Sequence, residues 1–156
     1  MSDDSSAPSS ADPHQAQPAR NGANRQAGPV SLPQDKELVM RVITRPADAN
    51  ANGDIFGGWI MAQVDMAGAV LPMRIARGRI TTVAVNQFVF KQPVSVGDLL
   101  SFYAEVERIG TTSITVRVEV YAERNPAHPY VAKVTEASLT YVAIDTNGCP
   151  RPVPKL

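Results

Sequence analysis

Hydrophobic and polar residues alternate along most of the second half of the chain. From Ile114 to Ala122 every second residue is apolar, and the run from Leu100 to Val106 follows the same rule. This two-residue period is that of a strand with one buried face. Gly110-Thr111 between the two runs suits a tight hairpin. Further strand-like runs lie at Leu38–Thr44, Ile80–Lys91 and Tyr130–Ile144. The pattern predicts five strands, mostly joined by hairpins and therefore antiparallel.

The segment from Gly57 to about Arg77 is too long and too rich in Ala, Met and Ile to be a strand. Apolar residues cover nearly its whole circumference, which predicts a helix buried on several sides. Pro72 lies well inside the periodic pattern, so we expect a kink or an early end near Val70 or Leu71. One long central helix wrapped by a five-stranded antiparallel sheet makes an α+β fold.

The two ends of the chain have a different composition. Residues 1–33 contain five prolines among Ser, Ala, Asp, Gln and Asn, with almost no large apolar side chain. Such a segment buries too little surface to offset the entropy lost on ordering, so we expect a disordered tail. Prolines at every second position from Pro150 to Pro154 end regular structure. We therefore expect one domain over residues 34–150, followed by a proline-rich end over residues 151–156.

Charge and rare residues exclude several classes of function. The chain has 15 Lys plus Arg against 15 Asp plus Glu, for a net charge of zero, which argues against nucleic acid as a partner. One Cys and two His leave no disulfide framework, metal site or Cys/His nucleophile pair. No apolar run is long enough to span a membrane and no secretory signal is evident, so we expect a cytoplasmic protein without membrane association.

The start of the helix is the most informative place in the chain. Gly57-Gly58 leaves bare backbone amides at the positive end of a helix dipole, where a ligand oxygen can approach closely. Such amides stabilise the oxyanion that develops when a carbonyl or thioester group is attacked. Small and acidic residues before a helix are also ordinary capping chemistry, and Asp54 fits that role as well.

Asp65 is an ionisable residue on a nearly all-apolar helix, where an unpaired charge is costly. It follows Gly58 by seven residues, roughly 10 Å along the axis at about 1.5 Å per residue, too far for both to act on one carbon. A two-fold partner could bring its own Asp65 to Gly58, which predicts two composite sites per dimer. Asp65 could serve as a general base on water, as a nucleophile, or as a structural acid that pairs with an arginine or caps a neighbouring backbone group.

The segment Asn52-Gly53-Asp54-Ile55-Phe56-Gly57-Gly58-Trp59, followed by Asp65, resembles the helix entry of hotdog-fold acyl-CoA thioesterases. The likeness runs from about Leu38 to Pro154 and includes Phe88, Pro93, Val96-Gly97-Asp98, Gly110-Thr111-Thr112-Ser113 and Asp145-Thr146-Asn147-Gly148. The resemblance implies a hotdog fold that hydrolyses acyl-CoA to free CoA and a carboxylic acid. It also implies homodimers with a continuous sheet and sites at the subunit boundary, commonly assembled into hexamers.

The same resemblance makes Asp65 the leading catalytic residue, with Asp54 in support and Gly57 and Gly58 as the oxyanion donors. We expect no cofactor, because coenzyme A is part of the substrate and of the product. The candidates for substrate binding are the signature residues, two basic residues for the phosphates, and the turn after Gly110: Asn52, Trp59, Lys91, Arg117, Thr112 and Ser113.

Three other functions remain open at this stage. A non-catalytic acyl-CoA sensor would use the same fold, although the only appendage here is a nearly neutral tail. A hotdog dehydratase or hydratase relies on an active-site His, and neither His14 nor His128 lies near the helix. A structural oligomer with a vestigial site would bind without turnover.

Overall fold

In the computed structural model, residues 30–155 are described. They form one helix, α1 (Gly57–Ala76), a short 3-10 turn (Pro46–Asp48), and the strands β1 (Glu37–Ile43), β2 (Ile80–Phe90), β3 (Leu99–Ile109), β4 (Ser113–Arg124) and β5 (Tyr130–Ala143). The five predicted strands and the helix are thereby confirmed. Nearly all of the predicted tail lies outside the described residues.

Residues just outside both predicted boundaries contact the domain. Val30, inside the expected tail, makes an antiparallel bridge with Val131. At the other end, residues 151–155 form no regular element, but the Val153 amide donates to the Thr111 carbonyl at 2.8 Å. The side chain of Val153 packs against the core. The proline-rich end therefore lies along the hairpin between β3 and β4.

The strands form one sheet in the order β1-β3-β4-β5-β2, with every neighbouring pair antiparallel. Only β3, β4 and β5 are joined by hairpins, because α1 separates β1 from β2 and sends β2 to the far edge of the sheet. Among the described residues, the outer edge of β2 has no partner strand. Apolar side chains on this strand are exposed, including Val83, Val85 and Phe90.

The core lies between α1 and one face of the sheet. Ile114, Val116, Val118 and Val120 occupy alternate positions of β4 and are fully buried, as the two-residue period predicts. The opposing helix face contributes Ile60, Val64 and Ala67. The polar positions of β4 point to the outer face of the sheet, so the sheet separates an apolar core from a charged surface.

Of the two alternatives predicted at Pro72, a kink or an early end, the early end is wrong, because α1 continues through Pro72 to Ala76. Arg77 then takes a left-handed conformation with φ of 49° and ends the helix. An interior proline removes one hydrogen bond and crowds the carbonyl four residues earlier, at a cost of about 3 kcal/mol. Pro72 is buried against the sheet, and the packing of a whole helix face outweighs that cost.

The expectation of a helix buried on several sides is wrong for the single chain, because the sheet covers only one side of α1. Met61, Met66 and Met73 on the other side are 41%, 53% and 51% exposed. A run of exposed apolar side chains beside an unpaired strand edge is typical of a surface that associates with another subunit. No helix within residues 30–155 is long and apolar enough to cross a membrane.

Candidate active site

The loop that leads into α1 is held by backbone hydrogen bonds on both sides. The Asn50 side chain accepts from the amides of Asn52 and Asp54 at 2.9 and 3.2 Å. The Ile55 amide donates to the Val94 carbonyl at 2.8 Å, and the Phe56 amide to the Asp48 carbonyl at 3.1 Å. Ile55 is buried in the core. These contacts fix the direction in which the chain enters the helix.

The first turn of α1 presents backbone amides with no protein partner. Phe56 is the N-cap residue and its side chain accepts no hydrogen bond; the first helical bond runs from the Ile60 amide to the Phe56 carbonyl at 3.2 Å. Among the described residues, the amides of Gly57, Gly58 and Trp59 meet no acceptor. A Cβ on Gly58 would meet nothing within 4 Å. The amides are therefore open to a ligand oxygen at the positive end of the dipole.

Asp54 lies beside this first turn but does not cap it, so the interpretation of Asp54 as the helix N-cap is wrong. Its backbone pairs with Ser95 in an isolated bridge. Asp54, Gly57, Phe90 and Lys91 line a cleft of about 370 Å³ that opens at the helix start. The structure thus brings the predicted supporting acid and one predicted oxyanion donor to the same cleft.

Asp65 lies two turns further along α1 and is held by hydroxyl groups. Its Oδ1 accepts from the Thr82 hydroxyl at 2.7 Å and from the Tyr141 hydroxyl at 3.3 Å. Tyr141 also donates to the Asp65 carbonyl at 2.8 Å. Among the described residues, no Lys or Arg lies within ion-pair distance of this carboxylate, so the structural alternative of an Asp–Arg pair is not what holds it.

Burial, followed by the charge of Asp65, raises the pKa of the Tyr141 hydroxyl above its ordinary value of 10.0. Tyr141 therefore stays protonated and remains a donor at any physiological pH. Gly68 makes room for it, since a Cβ there would collide with the Tyr141 hydroxyl.

Sequence reasoning missed Thr82 and Tyr141. Tyr141 could have been found from the sequence, because it occupies one of the alternate positions of β5 that face the core, where a buried hydroxyl needs a hydrogen-bond partner.

Of the remaining predicted site residues, Lys91 and Trp59 lie at the helix start, and the others lie apart from both places. Lys91 lies at the cleft but pairs with Glu136 at 3.4 Å, and Trp59 packs against the core. Arg117 on the outer sheet face contacts Glu107 at 2.7 Å and Glu136 at 3.4 Å. Its charge is thereby already neutralised. Asn52 is exposed in the entry turn, and Thr112 and Ser113 lie at the β3–β4 hairpin, at the end where α1 finishes.

Gly58 and Asp65 are rigidly separated because they stand on one unbroken helix, seven residues or roughly 10 Å apart. Contacts between reacting groups are near 3 Å, so one chain does not assemble both groups around one carbon. Among residues 30–155, no group of three or more His, Cys, Asp or Glu is placed to hold a metal ion. What the chain offers is an open amide turn and, at a distance, an anchored carboxylate.

Comparison with known proteins identifies the family. The thioesterase superfamily profile matches residues 52–127. The acyl-CoA thioester hydrolase YciA of Salmonella typhimurium is 49% identical over 120 residues, which cover 76% of this chain and 90% of that protein.

Two solved structures are similar over most of their length. The hexameric thioesterase y2039 from Yersinia pestis has a TM-score of 0.74 and 46% identity, and the match covers 80% of this chain and 100% of that one. The hexameric broad-specificity acyl-coenzyme A thioesterase HI0827 has a TM-score of 0.73 and 44% identity, with 80% of this chain and 85% of that one covered. The chain therefore belongs to the thioesterase superfamily, with the hotdog fold and among the acyl-CoA thioester hydrolases.

Proposed function

We propose that this protein hydrolyses acyl-CoA thioesters to free CoA and a carboxylic acid. The proposal rests on the presence of two features on α1. These are the open amides of Gly57 and Gly58 and the Asp65 carboxylate, which neutral hydroxyls anchor. The amides suit the negative oxygen of a tetrahedral intermediate. Neutral hydroxyls, and no Lys or Arg of the described residues, hold this carboxylate, which leaves it available for acid–base or nucleophilic work.

The active site is composite and forms between two subunits. The exposed methionines of α1 and the unpaired edge of β2 supply an apolar surface for a second copy. A two-fold axis beside α1 sets the helices antiparallel, and it places Asp65 of one subunit against the Gly57-Gly58 turn of the other. Each dimer then carries two equivalent sites. The named hexameric relatives support a further assembly into a trimer of dimers.

Two chemical routes use these groups. In the first, Asp65 accepts a proton from water as the water oxygen attacks the thioester carbon, and the C–S bond then breaks to release CoA thiolate. In the second, the Asp65 carboxylate attacks the carbon itself, CoA leaves, and water hydrolyses the mixed anhydride. In both routes the amides of Gly57 and Gly58 stabilise the carbonyl oxygen, and Asp54 orients water or the acyl group from the neighbouring cleft.

We also infer that the reaction needs no cofactor, since both routes require only water and a carboxylate. Coenzyme A enters as part of the substrate and leaves as product. The single free cysteine, Cys149, is exposed, which suits a reducing compartment. We place the protein in the cytoplasm on that basis.

The decisive experiment is to incubate the protein with acyl-CoAs of increasing chain length and to measure released thiol. We expect thiol release with wild-type protein and its loss in Asp65→Asn. Binding of acyl-CoA without thiol release would favour a sensor, and addition of water to an enoyl-CoA would favour a hydratase. Either outcome overturns the proposed reaction.

A further inference from the structure

Most lysines and arginines of the described chain are neutralised by a carboxylate within 4.0 Å. Lys36, Arg41, Arg45, Arg74, Lys91, Arg117, Arg124 and Lys133 all form such ion pairs. The basic residues for which no ion pair is found within residues 30–155 are Arg77, Arg79, Arg108, Arg151 and Lys155. The chain as a whole has no net charge, so this subset marks a local excess of positive charge.

These unpaired cations lie at one end of the molecule, where α1 finishes. Arg77 and Arg79 follow the last helical residue, and the Arg151 guanidinium donates to the Ala76 carbonyl at 2.7 Å. Arg108 lies at the end of β3, just before the β3–β4 hairpin. Lys155 lines the groove beside that hairpin. The positive end is thus opposite the open amide turn of the same chain.

Three of the arginines surround a single cleft of about 400 Å³: Arg77, Arg79 and Arg151 line it together with Ile144, Asp145 and Thr146. Arg151 is used structurally, since it donates to the Ile144 and Ala76 carbonyls. Arg79 donates from one nitrogen only, to the carbonyls of Asp145 and Thr146. The Arg77 guanidinium makes no hydrogen bond to any described residue.

The acid in this cleft does not compensate the arginines. Asp145 Oδ1 accepts from the amides of Asn147 and Cys149, both at 2.8 Å, and so closes its own turn. The helix C-terminus carries a partial negative charge that one cation can satisfy, and Arg151 is placed to do so. Arg77 and Arg79 line the same cleft, and neither forms an ion pair with Asp145 or with any other described carboxylate.

We propose that this cleft, centred on Arg77 and Arg79, binds the phosphate groups of coenzyme A. The inference rests on the proposed thioesterase function, because it assigns the phosphate end of the same substrate. Guanidinium groups bind phosphate oxygens in a bidentate manner and remain charged at every relevant pH. This assignment replaces Lys91 and Arg117, whose charges are engaged by glutamates.

The distance along α1 matches the length of the substrate. Arg77 follows Asp65 by twelve residues, or about 18 Å at about 1.5 Å per residue. The pantetheine arm joins the thioester sulfur to the first phosphate through a chain equivalent to about four residues of extended backbone, roughly 15 Å. The subunit that contributes Asp65 to a composite site therefore also contributes the phosphate cleft, while its partner contributes the oxyanion amides.

The test compares an acyl-CoA with the matching acyl-pantetheine, which carries the same thioester but no phosphates. The variants are Arg77→Gln and Arg79→Gln, and Arg151 is left intact because it holds the helix end. The matched control is Arg41→Gln, which removes an arginine that is paired with Glu123 at 3.3 Å. Each protein is assayed for kcat and KM with both substrates.

We expect each cleft variant to raise KM for acyl-CoA by about tenfold, the scale of one charge-assisted contact, with kcat little changed. KM for acyl-pantetheine should stay at the wild-type value, and Arg41→Gln should match wild type on both. Equal changes on both substrates, or no change on either, would overturn the phosphate assignment. If wild type hydrolyses neither substrate, the proposed reaction fails instead. Calorimetric binding of CoA against pantetheine then still tests the cleft.

Discussion

At the scale of single residues, the environment of Asp65 differs from that of the ion-paired acids of the chain. Glu119 and Asp98, for example, are neutralised by basic side chains, whereas Asp65 is held by two neutral hydroxyls. Neutral donors fix the position of a carboxylate without cancelling its charge. Its Oδ2 accepts no hydrogen bond from the described residues. One oxygen is thus anchored while the other stays free for water or a thioester.

Asp65→Asn should therefore abolish catalysis without disturbing the fold. Asparagine has nearly the same shape and still accepts from Thr82 and Tyr141 through its amide oxygen, but it neither takes a proton nor attacks a carbonyl. We expect kcat to fall by about a thousandfold or more, since general-base and nucleophilic groups contribute on this scale. Thiol-release kinetics measure the effect, and thermal unfolding checks the fold. Near-normal turnover would contradict the assigned role.

Tyr141 positions Asp65, and its removal should weaken turnover rather than binding. Tyr141→Phe deletes the hydroxyl that contacts both the Asp65 carbonyl and Oδ1. We expect kcat to fall several-fold, with KM unchanged and stability lower by about 1 kcal/mol for the lost hydrogen bond. Thr82→Val removes the other donor and should act in the same direction. A purely structural role would lower stability and leave kcat per folded subunit unchanged.

The sequence alone singles out Asp65 and the Gly57-Gly58 turn as candidates, but it does not identify the residues that contact Asp65. A carboxylate on an apolar helix and a glycine pair at a helix start are local features, visible without any fold. Thr82 and Tyr141 reach Asp65 from strands that are 17 and 76 residues away in the chain. Their role depends on register and sheet order, which bring β2 and β5 together.

At the scale of secondary-structure elements, the packing of α1 on the sheet depends on one position without a side chain. Gly68 faces Tyr141 and Val118, and a Cβ there would lie 3.3 Å from the Val118 side chain and would collide with the Tyr141 hydroxyl. The helix and the two strands therefore approach closely at this point. The same close approach brings the Tyr141 hydroxyl to the Asp65 carbonyl.

Gly68→Ala should destabilise the protein although alanine is the better helix former. Alanine favours a helix interior by about 1 kcal/mol over glycine, but overpacking a buried contact costs typically 1–3 kcal/mol. Because Tyr141 and Val118 are buried and cannot move away, we expect the free energy of unfolding to fall by a net ~1 kcal/mol, measured by chemical denaturation. Gly58→Ala is the matched control, since a Cβ there meets nothing within 4 Å. A Gly68→Ala protein as stable as the control would show that the contact relaxes.

The outer face of the sheet carries a charge network centred on Glu119 of β4, which is only 7% exposed. It accepts from Lys36 and Lys133, both at 2.9 Å, and from Tyr121 at 2.8 Å. Burial alone raises the pKa of a carboxyl, but these hydrogen bonds outweigh it and lower the pKa of Glu119 from 4.5 to about 2. The network ties the segment before β1 to β4 and β5.

Acid should weaken this network in a defined range. The pKa of Glu119 is lower in the folded chain than in the unfolded one, so its contribution to stability is complete above about pH 5. That contribution falls as the pH drops from 4.5 towards 2, and it amounts to about 2–3 kcal/mol. Urea unfolding from pH 6 to pH 2.5 measures it, and Glu119→Gln should flatten this part of the profile. An unchanged slope in that variant would place the acid sensitivity in other carboxylates.

Strand positions were predictable from the sequence because alternation of apolar and polar residues is a local consequence of a one-sided sheet. The continuation of the helix through Pro72 was not predictable. It depends on whether the packing of α1 on the sheet outweighs the local cost of a proline inside a helix. The alternation pattern also does not determine the order of the strands in the sheet. Antiparallel hairpins suggest neighbouring strands in chain order, whereas β2 pairs with β5 because α1 crosses the sheet between β1 and β2.

At the scale of the whole molecule, the candidate functional groups of a single chain lie at different places along α1. The open amides lie at one end of α1 and the unpaired arginines at the other, with Asp65 between them and an exposed apolar strip alongside. No one end holds all that a thioester substrate requires. In the proposed dimer, an antiparallel pair of chains would bring the amide turn of each subunit beside Asp65 of its partner.

Mixing two inactive variants tests this arrangement directly. Asp65→Asn removes the acid, and Gly57→Pro removes one amide donor at the first helical position, where proline is well tolerated. Each variant alone should be nearly inactive. In a hybrid dimer, one site combines the intact turn of the Asp65→Asn subunit with the intact Asp65 of the Gly57→Pro subunit, while the other site carries both defects. Random pairing on co-expression should restore about a quarter of wild-type activity.

The control for this experiment is a chain that carries both substitutions, co-expressed with the Asp65→Asn chain. No dimer of that pair contains an intact Asp65, so activity should stay at the background level. The Phe90 ring lies 3.1 Å from a Cβ at Gly57, so unfolding of each variant is measured alongside. If the two single variants fold and pair but restore no activity, the acid and the amides act within one chain. The roughly 10 Å between them on α1 would then have to be bridged by a movement of the helix start, since their shared rigid helix leaves no other route.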